Sequence, residues 1–180
     1  MRKPLLLATL CLGLAGCKHQ ETEPPTIDFG PGDGFSHVDA GARANGTQDP
    51  SDWTSDATWN EQEKALFPKL SFELNGAQRP NLFVYANAYP NPGASAIWRV
   101  EGENKATSLA VSYSAKLVLV NRAYEVLMQQ GPLTFPSGYA VGLDYAQLGL
   151  QPGERYRLYY VLYNSDGLVC KGHGDIRYDK

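Results

Sequence analysis

Long apolar runs, basic excess, cysteine and histidine are all scarce in this chain, and each scarcity removes a class of protein. No segment after the first seventeen residues supplies the ~20 apolar residues that a membrane-spanning helix needs. Sixteen basic side chains against nineteen acidic ones give a formal charge of −3, which offers no electrostatic footprint for nucleic acid. Only three cysteines and three histidines occur. His19 and His37 lie in a stretch rich in Gly, Pro and Asp, so a zinc site around His173 would lack its remaining ligands. Asp28, Asp33, Asp39, Asp49, Asp52 and Asp56 do not have the alternating spacing and closing Glu of a calcium loop. A Gly-x-Ser-x-Gly elbow, a phosphate loop and a His-Glu-x-x-His helix are likewise missing. On these grounds no metal ligand, cofactor or catalytic residue is assigned.

What is present begins at the first residue. Arg2 and Lys3 precede an apolar run from Leu5 to Leu14, which is too short for a permanent spanning helix and has the form of a secretory signal. The run closes on Leu14, Ala15, Gly16 and Cys17, which resembles the lipobox of bacterial lipoproteins. That resemblance implies cleavage between Gly16 and Cys17 and acyl chains, palmitate among them, on the thiol and amine of Cys17. Two or more chains hold a protein on a membrane essentially permanently. Lys18, where the family uses Asp for inner-membrane retention, implies the outer membrane. Lys18 with Glu21 and Glu23 resembles the surface-export tag of lipoproteins in bacteria with type IX secretion, so either the periplasmic or the cell-surface face stays open. Losing Arg2 and Lys3 makes the formal charge two units more negative. Cys11 also leaves and Cys17 is acylated, so Cys170 has no partner for an internal disulfide. An unpaired Cys is expected to be buried as a small apolar residue, with an intermolecular bridge or a reactive thiol as alternatives.

Residues 17–51 carry isolated apolar residues without a period of 2 or 3.6 and read as a flexible tether. About 34 such residues span roughly 30–35 Å. Residues 52–67 read as one short helix, N-capped by Ser55 or Asp56 and stopped by Pro68. Trp59, Leu66 and Phe67 are expected to dock it on the domain that follows, although a partner-binding helix would carry the same stripe.

From 69 to 180 the period is two. Strands are expected at Leu70 to Leu74, Leu82 to Ala86, Ile97 to Val100, Leu109 to Ala115, Lys116 to Asn121, Glu125 to Gln129, Tyr139 to Asp144, Tyr156 to Asn164 and Leu168 to Gly172. Turn signals such as Asn75-Gly76, Pro152-Gly153 and Asp166-Gly167 separate them. The pattern predicts an all-β, antiparallel sandwich with one core. Leu150-Gln151-Pro152-Gly153 followed by Tyr156 resembles the tyrosine corner of fibronectin type III and other immunoglobulin-like domains. Tyr89-Pro90-Asn91-Pro92, Lys116 to Asn121, Tyr124 to Leu127 and the final hairpin are similar to type IX sorting domains, which would imply C-terminal cleavage after transport.

Two constellations invite a functional reading. Cys170, His173 and Asp175 lie close in sequence, but on an extended strand Cys170 and His173 point to opposite faces, which favours a strand end kinked at Gly172. Glu101 and Glu103 read as a solvated turn. Arg155, Arg157, Tyr159 and Tyr163 form the candidate binding face, because aromatic and Arg side chains on a rigid sheet suit a protein or glycan partner. The expectation is a lipid-anchored, non-catalytic binding or envelope-assembly protein. An envelope hydrolase, an accessory subunit of one, or a sorting module are the alternatives.

Overall fold

Eight strands, one short α-helix and a 3-10 turn at Pro80–Leu82 make up the regular structure of the computed structural model, which describes residues 24–102 and 112–180. Gly16, Cys17, Lys18, Glu103 and the start of the strand expected at Leu109 lie outside those residues. The strands are β1 (Thr54–Ser55), β2 (Phe83–Tyr89), β3 (Ser95–Gly102), β4 (Tyr113–Val120), β5 (Val126–Phe135), β6 (Gly138–Asp144), β7 (Arg155–Asn164) and β8 (Gly167–Arg177). One sheet has the order β1-β8-β7-β4-β5 and the other β2-β3-β6. Every strand pairing is antiparallel. Three strands thus face four, with β1 added along the β8 edge, in an immunoglobulin-like sandwich. Trp98, Val100, Leu117, Leu119, Leu158, Tyr160 and Leu162 fill the space between the sheets. The expected corner is formed: the Gln151 amide donates to the Tyr156 hydroxyl oxygen at 2.7 Å.

A second core lies on the outer face of the larger sheet. Val118, Val120, Tyr159 and Val161 point away from the first core and are covered by Ile27, Phe29, Trp59, Leu66, Phe67 and Leu74. This corrects the tether expected over 17–51, because within its described part Ile27, Phe29, Phe35 and Val38 are buried. Side-chain bonds to backbone, together with a backbone bridge between Val38 and Asn91, fix this strap. Asn91, fully buried in the β2–β3 turn, donates from Nδ2 to the Ser36 and Asp175 carbonyls and accepts from the Arg177 amide. Asp52 accepts the Ser36 amide on Oδ2 and the Asp175 amide on Oδ1. The strap then crosses β8 where glycine admits it. A Cβ at Gly172 would stand 2.1 Å from the Thr54 carbonyl oxygen, and one at Gly174 would stand 2.2 Å from the Trp53 ring. The strand end expected at Gly172 is therefore a crossing point, and β8 runs on to Arg177.

Three further expectations change. The helix expected over 52–67 shrinks to α1 (Glu61–Ala65), because Asn60 forms the capping box, accepting the Glu63 amide on Oδ1 while Glu63 accepts the Asn60 amide. Ser55 instead pairs with β8, and Asp56 bonds His173. Trp59, Leu66 and Phe67 dock as expected. Leu70 to Leu74 is not a strand: Lys69 sits at φ 69° and breaks the extended run, and β1 already occupies the β8 edge. Lys116 to Val120 does not begin a new strand but continues from Tyr113 as β4.

Candidate functional site

Of the four side chains expected to form a binding face, Tyr159 is buried, whereas Arg155, Arg157 and Tyr163 are partly exposed. Tyr159 is 0 % exposed, makes an edge contact with Trp59 and donates its hydroxyl to Glu63. Arg157 forms a bidentate pair with Asp175, at 2.7 Å from Nε and 2.6 Å from Nη2. Arg155 donates to the Asp33 carbonyl, and Tyr163 tilts against Phe72. The strap and the segment after α1 cover this sheet, so it presents no open aromatic surface at Tyr159. A signal for the cover was in the sequence. From Tyr156 to Leu162 nearly every position of β7 is apolar or aromatic, as in a strand buried on both faces.

Cys170, His173 and Asp175 do not converge on one centre. Cys170 lies in the first core, where burial pushes its thiol pKa up and keeps it inert. His173 faces the strap, with Nδ1 at 2.8 Å and 3.0 Å from the two Asp56 oxygens. Asp56 also accepts the Trp59 indole N–H, and the buried Lys171 ammonium donates to the Asp56 and Ala57 carbonyls. His173 and Arg157 line a cleft of about 660 Å³ between the Asp28 to Phe35 and Thr47 to Ser51 segments. Both are engaged by carboxylates, and His173 meets no hydroxyl or thiol at hydrogen-bond distance among the described residues. Those residues also hold no His, Cys, Asp and Glu cluster suited to a metal ion.

The strap clamp has a pH consequence. Burial, then the neighbouring Asp175 charge, raises the Asp52 carboxyl to about 7, despite the two amides it accepts. Burial raises Asp175 as well, against the lowering effect of Arg157. A carboxyl whose pKa rises on folding favours the folded state below its unfolded value, about 3.9, and that contribution is lost as pH climbs through the folded value. The urea midpoint is therefore expected to fall between about pH 4 and pH 7, and Asp52→Asn to flatten that slope, in chemical unfolding followed at each pH. A wild-type midpoint that rises over this interval would contradict the assignment.

The open surface is on the other sheet. The register of β2, β3 and β6 places Tyr85, Glu101 and Gly138 in one row, Asn87, Arg99 and Ala140 in the next, and Tyr89, Ile97 and Gly142 in the third. Inward neighbours Ala86, Trp98, Val100, Val141 and Leu143 are buried, so these rows form the outward face. Ile97 is 45 % exposed. The Arg99 guanidinium lies 5.7 Å from the centre of the Tyr85 ring and donates to Glu101. The neighbouring Tyr89 hydroxyl, then Tyr85, holds the Arg99 pKa up. Asn87 Oδ1 is shielded from solvent yet has no hydrogen-bond partner among the described residues. Gly138, Ala140 and Gly142 project almost nothing from edge strand β6, which leaves a shelf beside Glu101, Arg99 and Ile97 of β3. At its end, Tyr89, Pro90, Ile97, Gly142 and Asp144 line a recess of about 540 Å³. Period-two reading of β3 already placed Ile97 and Arg99 on one face and Trp98 and Val100 on the other. The denser aromatic run of β7 drew the functional reading away from them.

The fold and this face together define a β-sandwich of immunoglobulin-like type with one sheet sealed and the other open. No protein-family model matches the chain, and no curated protein matches it.

Proposed function

We propose that the protein is a lipid-anchored, non-catalytic binding module of the bacterial outer membrane, held by acylated Cys17 and binding an envelope glycan on the outward face of β2, β3 and β6. The observation that carries the binding reading is the grid of Tyr85, Asn87, Tyr89, Arg99 and Glu101 beside a shelf of small residues. Sugar rings present C–H faces that lie on tyrosine rings, and their hydroxyls take bonds from Arg and Asn and give them to Glu. Arg99 is held by Glu101 and Tyr85 before any ligand arrives, which limits the ordering cost of binding. A protein partner would need a central apolar anchor, and Ile97 is the one large apolar side chain exposed in these rows. Retention of the C-terminal domain fits this reading better than sorting. Residues 27–74 pack on β4, β7 and β8, so cleaving those strands away would strip the support from the rest of the chain.

The test is titration of the mature chain with oligosaccharides released from outer-membrane and cell-wall preparations, followed by calorimetry. Tyr85→Ala and Tyr89→Ala are each expected to weaken binding roughly tenfold, or about 1.4 kcal/mol, without loss of folding. Binding unchanged in both variants, or capture of protein partners with no glycan bound, would overturn it.

A further inference from the structure

The strap changes where the anchor can hold the domain. Pro24 is seven positions after Cys17, so an extended chain of that length reaches at most about 25 Å. The Ile27 amide donates to the Arg122 carbonyl at 2.8 Å, which fixes the point where the chain leaves the fold beside the β4–β5 turn. Two arginines lie at this point. Arg79, Arg99, Arg157 and Arg177 each pair with a carboxylate, whereas Arg122 and Arg155 have no carboxylate partner among the described residues. Arg43, in a turn of the strap itself, is the other such arginine. Arg122 and Arg155 stack on one ring, Phe29, at 5.9 Å and 5.1 Å. Of the carboxylates near this end, Asp28 accepts the Gly30 amide and Glu125 the Asn121 side chain, while Glu154, next to Arg155 in sequence, is exposed.

We infer that the end of the sandwich carrying the β4–β5 turn sits against the membrane that holds the anchor, with Arg122 and Arg155 on the phosphates of anionic lipid headgroups. This rests on the acyl anchor proposed at Cys17. Guanidinium groups suit phosphate through paired N–H donors, and a stacked ring fixes their plane. The β7–β8 turn lies at the far end, seven residues along β7 from Arg157 to Asn164, or roughly 24 Å.

The experiment uses the full mature chain, with its mass measured first, in vesicles of phosphatidylcholine containing phosphatidylglycerol. A fluorophore is placed on Ala123→Cys in the β4–β5 turn or on Ser165→Cys in the β7–β8 turn, and headgroup-quencher lipid is added. The buried Cys170 does not compete for label. The label at 123 is expected to be quenched several-fold more than that at 165. Arg122→Gln with Arg155→Gln should bring it down to the level at 165, and Arg122→Lys with Arg155→Lys should preserve the difference. An acylated chain with equal quenching at the two positions, or with unchanged quenching in the Gln pair, overturns the orientation alone. A chain without acyl mass overturns the anchor and the orientation with it.

Discussion

Trp59→Ala is expected to destabilise the folded protein by about 3–5 kcal/mol in urea unfolding, the cost of a large buried aromatic. Trp59 is 2 % exposed and closes the second core from above. Its ring stacks on Phe67 at 5.3 Å, meets the edge of Tyr159 at 5.5 Å and lies 5.4 Å from the Lys171 ammonium. Its indole N–H also donates to Asp56, so the substitution leaves a carboxylate oxygen without that donor. The effect should extend beyond α1, because the same ring helps hold the segment that carries β1. A loss below about 1 kcal/mol would mean that this segment is only loosely attached.

Arg157→Met is expected to cost about 3–5 kcal/mol, since it strands the Asp175 carboxylate under the strap. Asp175 is 1 % exposed, and its carboxylate oxygens both accept from Arg157. The consequence reverses when both partners go. Arg157→Met with Asp175→Leu should recover most of that loss, because no uncompensated charge stays buried. The Asp175 amide keeps its bond to Asp52 in either variant, as that contact is through the backbone. A double variant as unstable as the single one would show that desolvation of Asp175 is not the source of the cost.

Much of the sandwich was legible because period-two alternation and turn chemistry are local. Asp166-Gly167 marked the last hairpin, and Tyr156 after Pro152-Gly153 marked the corner. The strap was illegible for a physical reason. Ile27, Phe29, Phe35 and Val38 are single apolar contacts spaced by glycines and acids, and their backbone is held by Asp52 and Asn91 from distant positions. No periodic signal records such a hold. The helix boundary moved because the capping-box pair Asn60 and Glu63 lies five residues past the first candidate cap, Ser55, and the residues between make long-range bonds to β8. The burial of Tyr159 was missed through a related gap. An aromatic, Arg-flanked strand such as β7 looks open until the element that covers it is identified, and here that element had been read as a tether.

Sealing of the larger sheet by residues 27–74 is the claim on which the rest depends, since the proposed binding surface on the opposite sheet and the proposed closeness of the anchor to the domain both follow from it. Hydrogen exchange by mass spectrometry on the mature chain tests it most directly. Amides of Ile27, Ser36, Val38 and Trp59 are expected to be protected close to the level of β7 and β8. Exchange across 24–51 at the rate of an unfolded peptide, with β7 and β8 still protected, would contradict it.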